Sequence, residues 1–399
     1  MVKRNLHIEG SCSPGFEAVE KSFRNNFGEG WERGGASFAV FHNGIKVVDI
    51  WGGYADRECN RLWREDTLTT IFSCTKSIAA ICVSRLIDHG LCDYNDKIIK
   101  YWPEFGQHGK ENVTLQMILS HKAGLPFFNN KVLSLPELID ENLMSKIIEE
   151  CELVFEPNSK TAYHPLTFGW LIDQVFRRID PNKRTIGVFF KEEIADKYHL
   201  DVHIGNCANE ESRTARLTDL HTPLTLREVA YDKCIAKIGK YYFNPRGYFN
   251  KALQNMRNFG KNFILYNNPE LRIAGQAAVN GIATARGLAE LHQLFMDHTI
   301  ISPQTFQKIA EPLFVKEFDH TIGEVQSKGF GFMYTQSPEK TWQIGHSGVG
   351  GQIVKMDPSN HIVIAYLTNA MKAGTGEHVF TCNRLTRKVY ECLKKLPSS

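Results

Sequence analysis

The sequence predicts an α/β (α+β) fold in which an antiparallel sheet is assembled from strands at both ends of the chain, flanked by helices and interrupted by a mainly helical inserted lobe. Three observations lead there. Two apolar runs near the start, Ala36 to Phe41 and Ile45 to Trp51, are joined by Asn43-Gly44, a dipeptide that favours a tight type I′ hairpin turn. Strand-like runs return at the end of the chain, at Phe330 to Tyr334, Thr341 to Ile344, Gln352 to Met356 and Ile362 to Leu367, separated by Gly, Pro and Asn. Between these groups most of the legible apolar spacing is helical. On this reading residues 1–14 are an N-terminal tail and 15–399 a single domain, with an α/β lobe at 15–65 and 281–399 and a helical lobe at 66–280. A cleft between the lobes is the expected place for a site.

In chain order, Phe16, Val19, Phe23 and Phe27 mark an amphipathic helix that ends near Gly28 and Gly30. Ile78, Cys82 and Leu86, with Ala79 and Val83, mark a second that stops at Gly90. Leu91 to Phe105 suits a loop with one short helix, Thr114 to Leu119 another short helix, and Ser120 to Pro126 a turn. Helical spacing returns from Pro136 to Glu152. Pro165 fits the first turn of a helix running to about Arg178, because a proline there loses no needed N–H. Ile186 to His199 is again helical. The polar stretch from Asp201 to Asn280 is the least legible, and its expected role is to shape a substrate site. Helices follow at Gly287 to Asp297 and Ser302 to Ala310, and Val379 to Leu396 closes the chain with Leu385, Val389 and Leu393 inward.

Composition excludes several classes. Forty-seven basic and 44 acidic residues give a net charge of +3, and no basic run exceeds a pair, so there is no nucleic-acid footprint. No apolar window is long enough for a membrane span, and Met1 to Gly15 lacks the apolar stretch of a signal peptide. Ten cysteines without a C-x-x-C pair suit reduced, mostly structural thiols in the cytosol, with neither metal nor cofactor. Cys74 is the one thiol through which an oxidant could interfere.

The chemistry centres on Ser73-Cys74-Thr75-Lys76. Three residues apart on a helix, a serine and a lysine share one face about 5–6 Å apart at Cβ, so the amine can reach the hydroxyl. Ser73 would lie in the first turn, where free N–H groups favour developing negative charge. A second Ser-x-x-Lys, Ser337 to Lys340, sits in a Pro-containing link and reads as a hairpin turn. By itself Ser73 reads equally as a helix cap or a nucleophile. Gly345-His346-Ser347-Gly348-Val349 nearly matches the Gly-x-Ser-x-Gly elbow, which would make Ser347 the nucleophile. Val349 replaces the last glycine, however, and Gly350 to Met356 looks like a strand where an elbow needs a helix. His121 reads as structural and His164 as exposed.

Three stretches in register, Ser73-Cys74-Thr75-Lys76, Tyr163-His164-Pro165 and Gly345 to Gly351, resemble the motifs of the serine β-lactamase and penicillin-binding-protein superfamily. The resemblance spans roughly Gly35 to Asn369 and is nearest to the class C-like branch, which includes esterases and animal β-lactamase-domain proteins. It implies a β-lactamase/transpeptidase-like fold and a serine hydrolase that forms an acyl-enzyme on Ser73. It further implies Lys76 and Tyr163 as a joint general base, the backbone N–H groups of Ser73 and Val349 as the oxyanion hole, and His346, Ser347 and Gly348 as the substrate-bordering strand. Two departures count against antibiotic hydrolysis: Pro165 stands where lactamases carry Asn, and His346 where they carry Lys. The expected substrate is a small ester, or else an amide or peptide. The competing expectations are β-lactamase or peptidase activity, or a non-catalytic homo-oligomeric scaffold of the same fold.

Overall fold

The protein is described by a computed structural model covering residues 7–205, 207–260 and 262–396. Its strands, in chain order, begin with β1 (Ile8–Cys12), β2 (Gly35–His42), β3 (Ile45–Asp56), β4 (Arg61–Leu62), β5 (Thr69–Thr70), β6 (Val202–His203) and β7 (Ile282–Ala283). They continue with β8 (Phe314–Phe318), β9 (Val325–Gly329), β10 (Phe332–Gln336), β11 (Trp342–Ser347), β12 (Ile353–Asp357) and β13 (Ile362–Thr368). The main sheet runs β1-β3-β2-β13-β12-β11-β10-β9-β8, with β4 paired to β3, and β5, β7 and β6 form a small second sheet. Every pairing is antiparallel.

The two ends of the chain meet where β2 pairs β13, from Ala36 opposite Thr368 to His42 opposite Ile362. The predicted hairpin turn forms, with positive φ at both Asn43 and Gly44. Alternation along the central strands divides two cores. Phe38, Val40, Ile362, Ile364 and Tyr366 pack with Phe16, Val19, Phe23, Leu385 and Val389 of the first and last helices. Ala39, Phe41, Val363, Ala365 and Leu367 face the opposite way, in the core that holds Leu288, Leu291 and the helix Thr75–Asp88. That last helix buries 12 of its 14 residues, so it is enclosed on all sides and can hold side chains in fixed places.

Several elements differ from expectation. Residues 8–12, read as tail, are the edge strand β1; only Ile8 is buried, so the sequence lacks the alternation that marks a strand. β8 and β9 extend the sheet beyond the predicted strands. Leu91 to Phe105 holds two 3₁₀ turns, Ile98–Lys100 and Pro103–Phe105, rather than one helix. The helix expected over Pro136 to Glu152 breaks at Asp140, whose extended backbone and carboxylate cap the second piece, Glu141–Glu150. Asp201 to Asn280 contains the helices Thr222–Tyr231, Cys234–Tyr242, Tyr248–Gln254 and Pro269–Ile273. Among the described residues no helix is long and apolar enough to cross a membrane.

Candidate active site

Ser73 sits in a 3₁₀ turn, Phe72–Cys74, that runs directly into the helix Thr75–Asp88. Phe72 has a φ of +46°, a strained conformation for a bulky residue. Its ring is clamped edge-on against Phe263 and Tyr266, with centroids 6.0 and 5.7 Å away. The residue after β11 lies so close to this turn that a Cβ on Gly348 would fall 2.6 Å from the Ile71 carbonyl oxygen. Only glycine fits there. The Cys74 thiol donates to the His346 carbonyl oxygen at 3.3 Å, and its burial raises its pKa, so it is not the exposed thiolate that an oxidant attacks.

Lys76 is fully buried, with its Nζ 3.2 Å from Ser73 Oγ. The same nitrogen donates to the carbonyl oxygens of Pro165 at 2.8 Å and Ala278 at 3.0 Å. It lies 5.0 Å from the centre of the Tyr163 ring and 5.7 Å from that of Phe168. Burial pushes its pKa well below that of an ordinary lysine.

Tyr163 is buried beside it. Burial raises its phenol's pKa, and a hydrogen bond with Ser73 offsets part of that rise. Its backbone N–H donates to both oxygens of Asp319, at 3.1 and 3.0 Å, and Asp319 is in turn paired with the buried Lys328. Lys328 Nζ lies 5.5 Å from the Tyr163 ring centre, and His121 packs on the ring at 4.5 Å. His121 accepts the His164 backbone N–H at 3.1 Å, which agrees with a structural role. His164 is fully buried, contrary to the exposed reading, because its ring bonds the Leu125 N–H at 3.2 Å and the Ala162 carbonyl oxygen at 2.7 Å. Asp319 and Lys328 had no motif to announce them; their pairing depends on a turn and a strand that only the fold brings under Tyr163.

On the opposite wall, His346 is buried and its Nδ1 lies 2.8 Å from the Ser347 carbonyl oxygen, while Nε2 has no partner among the described residues. Burial holds its pKa down at about 3, so the ring is neutral at pH 7. Among the described residues Ser347 Oγ approaches only the Met333 sulfur, at 3.9 Å, and no base is bonded to it. The second Ser-x-x-Lys is a hairpin turn, as expected, with Ser337 Oγ bonded to Thr341 Oγ1 at 2.6 Å.

A cavity of about 420 Å³ opens onto these groups, lined by Ser73, Tyr163, Ser347 and Val349. Its far side is built from the illegible stretch, including Ile238, Tyr242, Phe249, Leu253, Phe263 and Tyr266. The volume suits a small molecule rather than a folded partner.

A family model described as Beta-lactamase matches residues 23–381, and the chain belongs to that family. It is 31% identical over 290 residues to the esterase/beta-lactamase LipL of Mycobacterium tuberculosis, across 71% of this chain and 63% of LipL. It therefore spans less than two thirds of that relative. Among solved structures it is similar to a family VIII carboxylesterase, with 29% identity, a TM-score of 0.79 and coverage of 96% and 99% of the two chains. EstA from Arthrobacter nitroguajacolicus is similar at 25% identity and a TM-score of 0.80, with coverage of 98% and 100%. The β-lactamase-like fold implied by the three motifs is the fold observed.

Proposed function

We propose that the protein is a serine hydrolase that cleaves a small ester through an acyl-enzyme on Ser73. The observation that carries this is the approach of Lys76 Nζ to Ser73 Oγ, 3.2 Å, beside two carbonyl oxygens. With two N–H bonds committed to Pro165 and Ala278, a neutral amine keeps one lone pair for the serine proton. Its lowered pKa favours that neutral form at rest.

In this mechanism Lys76 takes the Ser73 proton as Oγ attacks the ester carbonyl carbon. The resulting oxyanion is held by the backbone N–H groups of Ser73 and Val349, a kind of contact that contributes about 3–4 kcal/mol per donor. Tyr163, whose raised pKa keeps it a neutral phenol, relays the proton from Lys76 to the departing alkoxide as the C–O bond breaks. A water then attacks the acyl carbon, passing its proton through the Tyr163 hydroxyl to the neutral Lys76, and Lys76 returns that proton to Ser73 Oγ as the acyl C–O bond breaks and the acid leaves. The joint base implied by the resemblance thus divides into a resting acceptor, Lys76, and a resting donor, Tyr163.

The neutral His346 at the substrate-bordering strand supplies no fixed cation for a drug carboxylate, which supports an ester over a β-lactam. The esterase names of LipL and the family VIII structure support the same choice. Ten free cysteines, seven of them buried, suit a reducing, cytosolic setting. The test is intact-mass detection of a fluorophosphonate adduct and of p-nitrophenyl ester turnover in the wild type, Ser73→Ala and Ser347→Ala. Loss of both in Ser73→Ala is expected; labelling that survives there and disappears in Ser347→Ala sinks the assignment.

A further inference from the structure

Val349, whose backbone N–H is one of the two proposed oxyanion donors, opens a 3₁₀ turn, Val349–Gly351, just after β11. Gly350 in this turn has a φ of +82° and Gly351 one of +108°. Two consecutive glycines leave the backbone many conformations of similar energy. An oxyanion donor is effective only if it is already aimed when the charge develops. Something outside the turn must therefore hold it.

Lys372 meets this turn in two ways. Its backbone N–H donates to the Gly350 carbonyl oxygen at 3.1 Å. Its side chain lies so close to Gly351 that a Cβ there would fall 2.8 Å from Lys372 Cγ. The side chain then ends in a buried ion pair: Nζ donates to Glu32 Oε1 at 2.8 Å and to the Trp31 carbonyl oxygen at 3.1 Å, and the Lys372 and Glu32 side chains are each 1% exposed. Glu32 is fixed in turn by hydroxyls of β13. Thr368 Oγ1 donates to Oε1 at 3.1 Å, and the Tyr366 hydroxyl donates to Oε2. The side-chain amide of Gln352, which follows Gly351, bonds both the N–H and the carbonyl oxygen of Thr368, at 2.9 and 2.7 Å. The turn, β13 and the loop before β2 are thus joined through one carboxylate.

We propose, building on the Ser73 hydrolase reading, that Glu32 and Lys372 are positioning residues whose ion pair holds the Val349–Gly351 turn with the Val349 N–H aimed at the developing oxyanion. Neither side chain lines the cavity, so both act through the turn. A buried ion pair contributes little net stability over a well-packed apolar pair of the same size. What it supplies here is direction: the lysine must extend past Gly351 to reach its carboxylate, and the backbone of the turn is held where that side chain passes.

The experiment uses the double variant Glu32→Gln/Lys372→Met, since removing one partner alone strands a buried charge. Its kcat/KM for p-nitrophenyl butyrate and its affinity for 1,1,1-trifluoro-4-phenylbutan-2-one are compared with those of the wild type. On that ketone Ser73 Oγ adds to the carbonyl carbon, its proton passes to Lys76, and the carbonyl π electrons become an oxyanion held as in ester cleavage. The double variant is expected to stay folded at 25 °C and to lose at least tenfold in kcat/KM and in trifluoroketone affinity together, because both depend on the aim of the oxyanion donors. A merely structural pair lowers the melting temperature and leaves trifluoroketone affinity within twofold of the wild type in the folded protein; that result overturns the proposal, whatever happens to kcat/KM. Should the double variant be unfolded at 25 °C, Tyr366→Phe, which removes one bond to Glu32, replaces it: a severalfold loss of both constants supports the proposal, and an unchanged affinity overturns it. Absence of ester turnover in the wild type counts against the hydrolase reading. Calorimetry with the trifluoroketone then decides the positioning role, weaker binding by the variant supporting it and equal binding, or none by the wild type, overturning it.

Discussion

At the scale of the residue, the proposed mechanism turns on the protonation of Lys76. A buried amine facing two carbonyl oxygens and a hydroxyl has its pKa pushed well below that of an exposed lysine by desolvation. The proposed mechanism requires the unprotonated form, so kcat/KM should rise with pH through the depressed Lys76 pKa and level off well below 10.5. A pH–rate profile whose ascending limb lies near 10 would contradict this. The serine and lysine were legible because one helical turn sets their separation. Asp319 and Lys328 were not, because no local spacing links them to Tyr163.

At the scale of the element, two contacts set the shape of the cleft. The first is the approach of Gly348 to the turn carrying Ser73. A methyl placed 2.6 Å from the Ile71 carbonyl oxygen and 3.1 Å from Phe72 Cβ must separate the strand end from the turn. Gly348→Ala is expected to lower kcat by roughly 100-fold or more, since a misplacement of about 1 Å can cost that much. Steady-state kinetics checked against thermal melting will show whether activity falls without unfolding. The second contact ties the cavity's far wall to the main sheet. His378 lies 2.6 Å from Asp232 and 3.2 Å from Glu324, and the hydrogen bonds and charges of these carboxylates outweigh its burial, raising its pKa to about 9. Because the folded value is raised above 6.5, this clasp is at full strength below pH 6.5 and is lost as pH rises through 9. Hydrogen exchange in Thr222–Tyr231 and Cys234–Tyr242, corrected for intrinsic rates, should quicken between pH 7 and 9.5, and His378→Gln should abolish the difference. This region was illegible because its helices are short and bury little: Thr222–Tyr231 covers only Leu224 and Glu228.

At the scale of the whole molecule, four buried histidines make the fold sensitive to acid. His164 and His292 are held at about 4 and His346 at about 3, each mainly by burial, and His121 is also well below its ordinary value. Unfolding frees all four to protonate, so stability should fall as pH drops below about 6.5 and keep falling toward 4. The slope can approach four protons, or about 5 kcal/mol per pH unit. Urea midpoints measured from pH 7.5 to 4.5 test this, and a flat profile would refute it. The central strands were legible from their alternation and turn residues, whereas β1, with one buried side chain, and β8, an exposed edge, carried no such pattern.

The pairing of β2 with β13 also fixes when the fold can close during synthesis. Some 320 residues separate His42 from Ile362, which at about 5–20 residues per second is roughly 15–65 s of translation. Throughout that interval the β2 margin that β13 will cover has no sheet partner, an open edge of the kind that invites pairing with another chain.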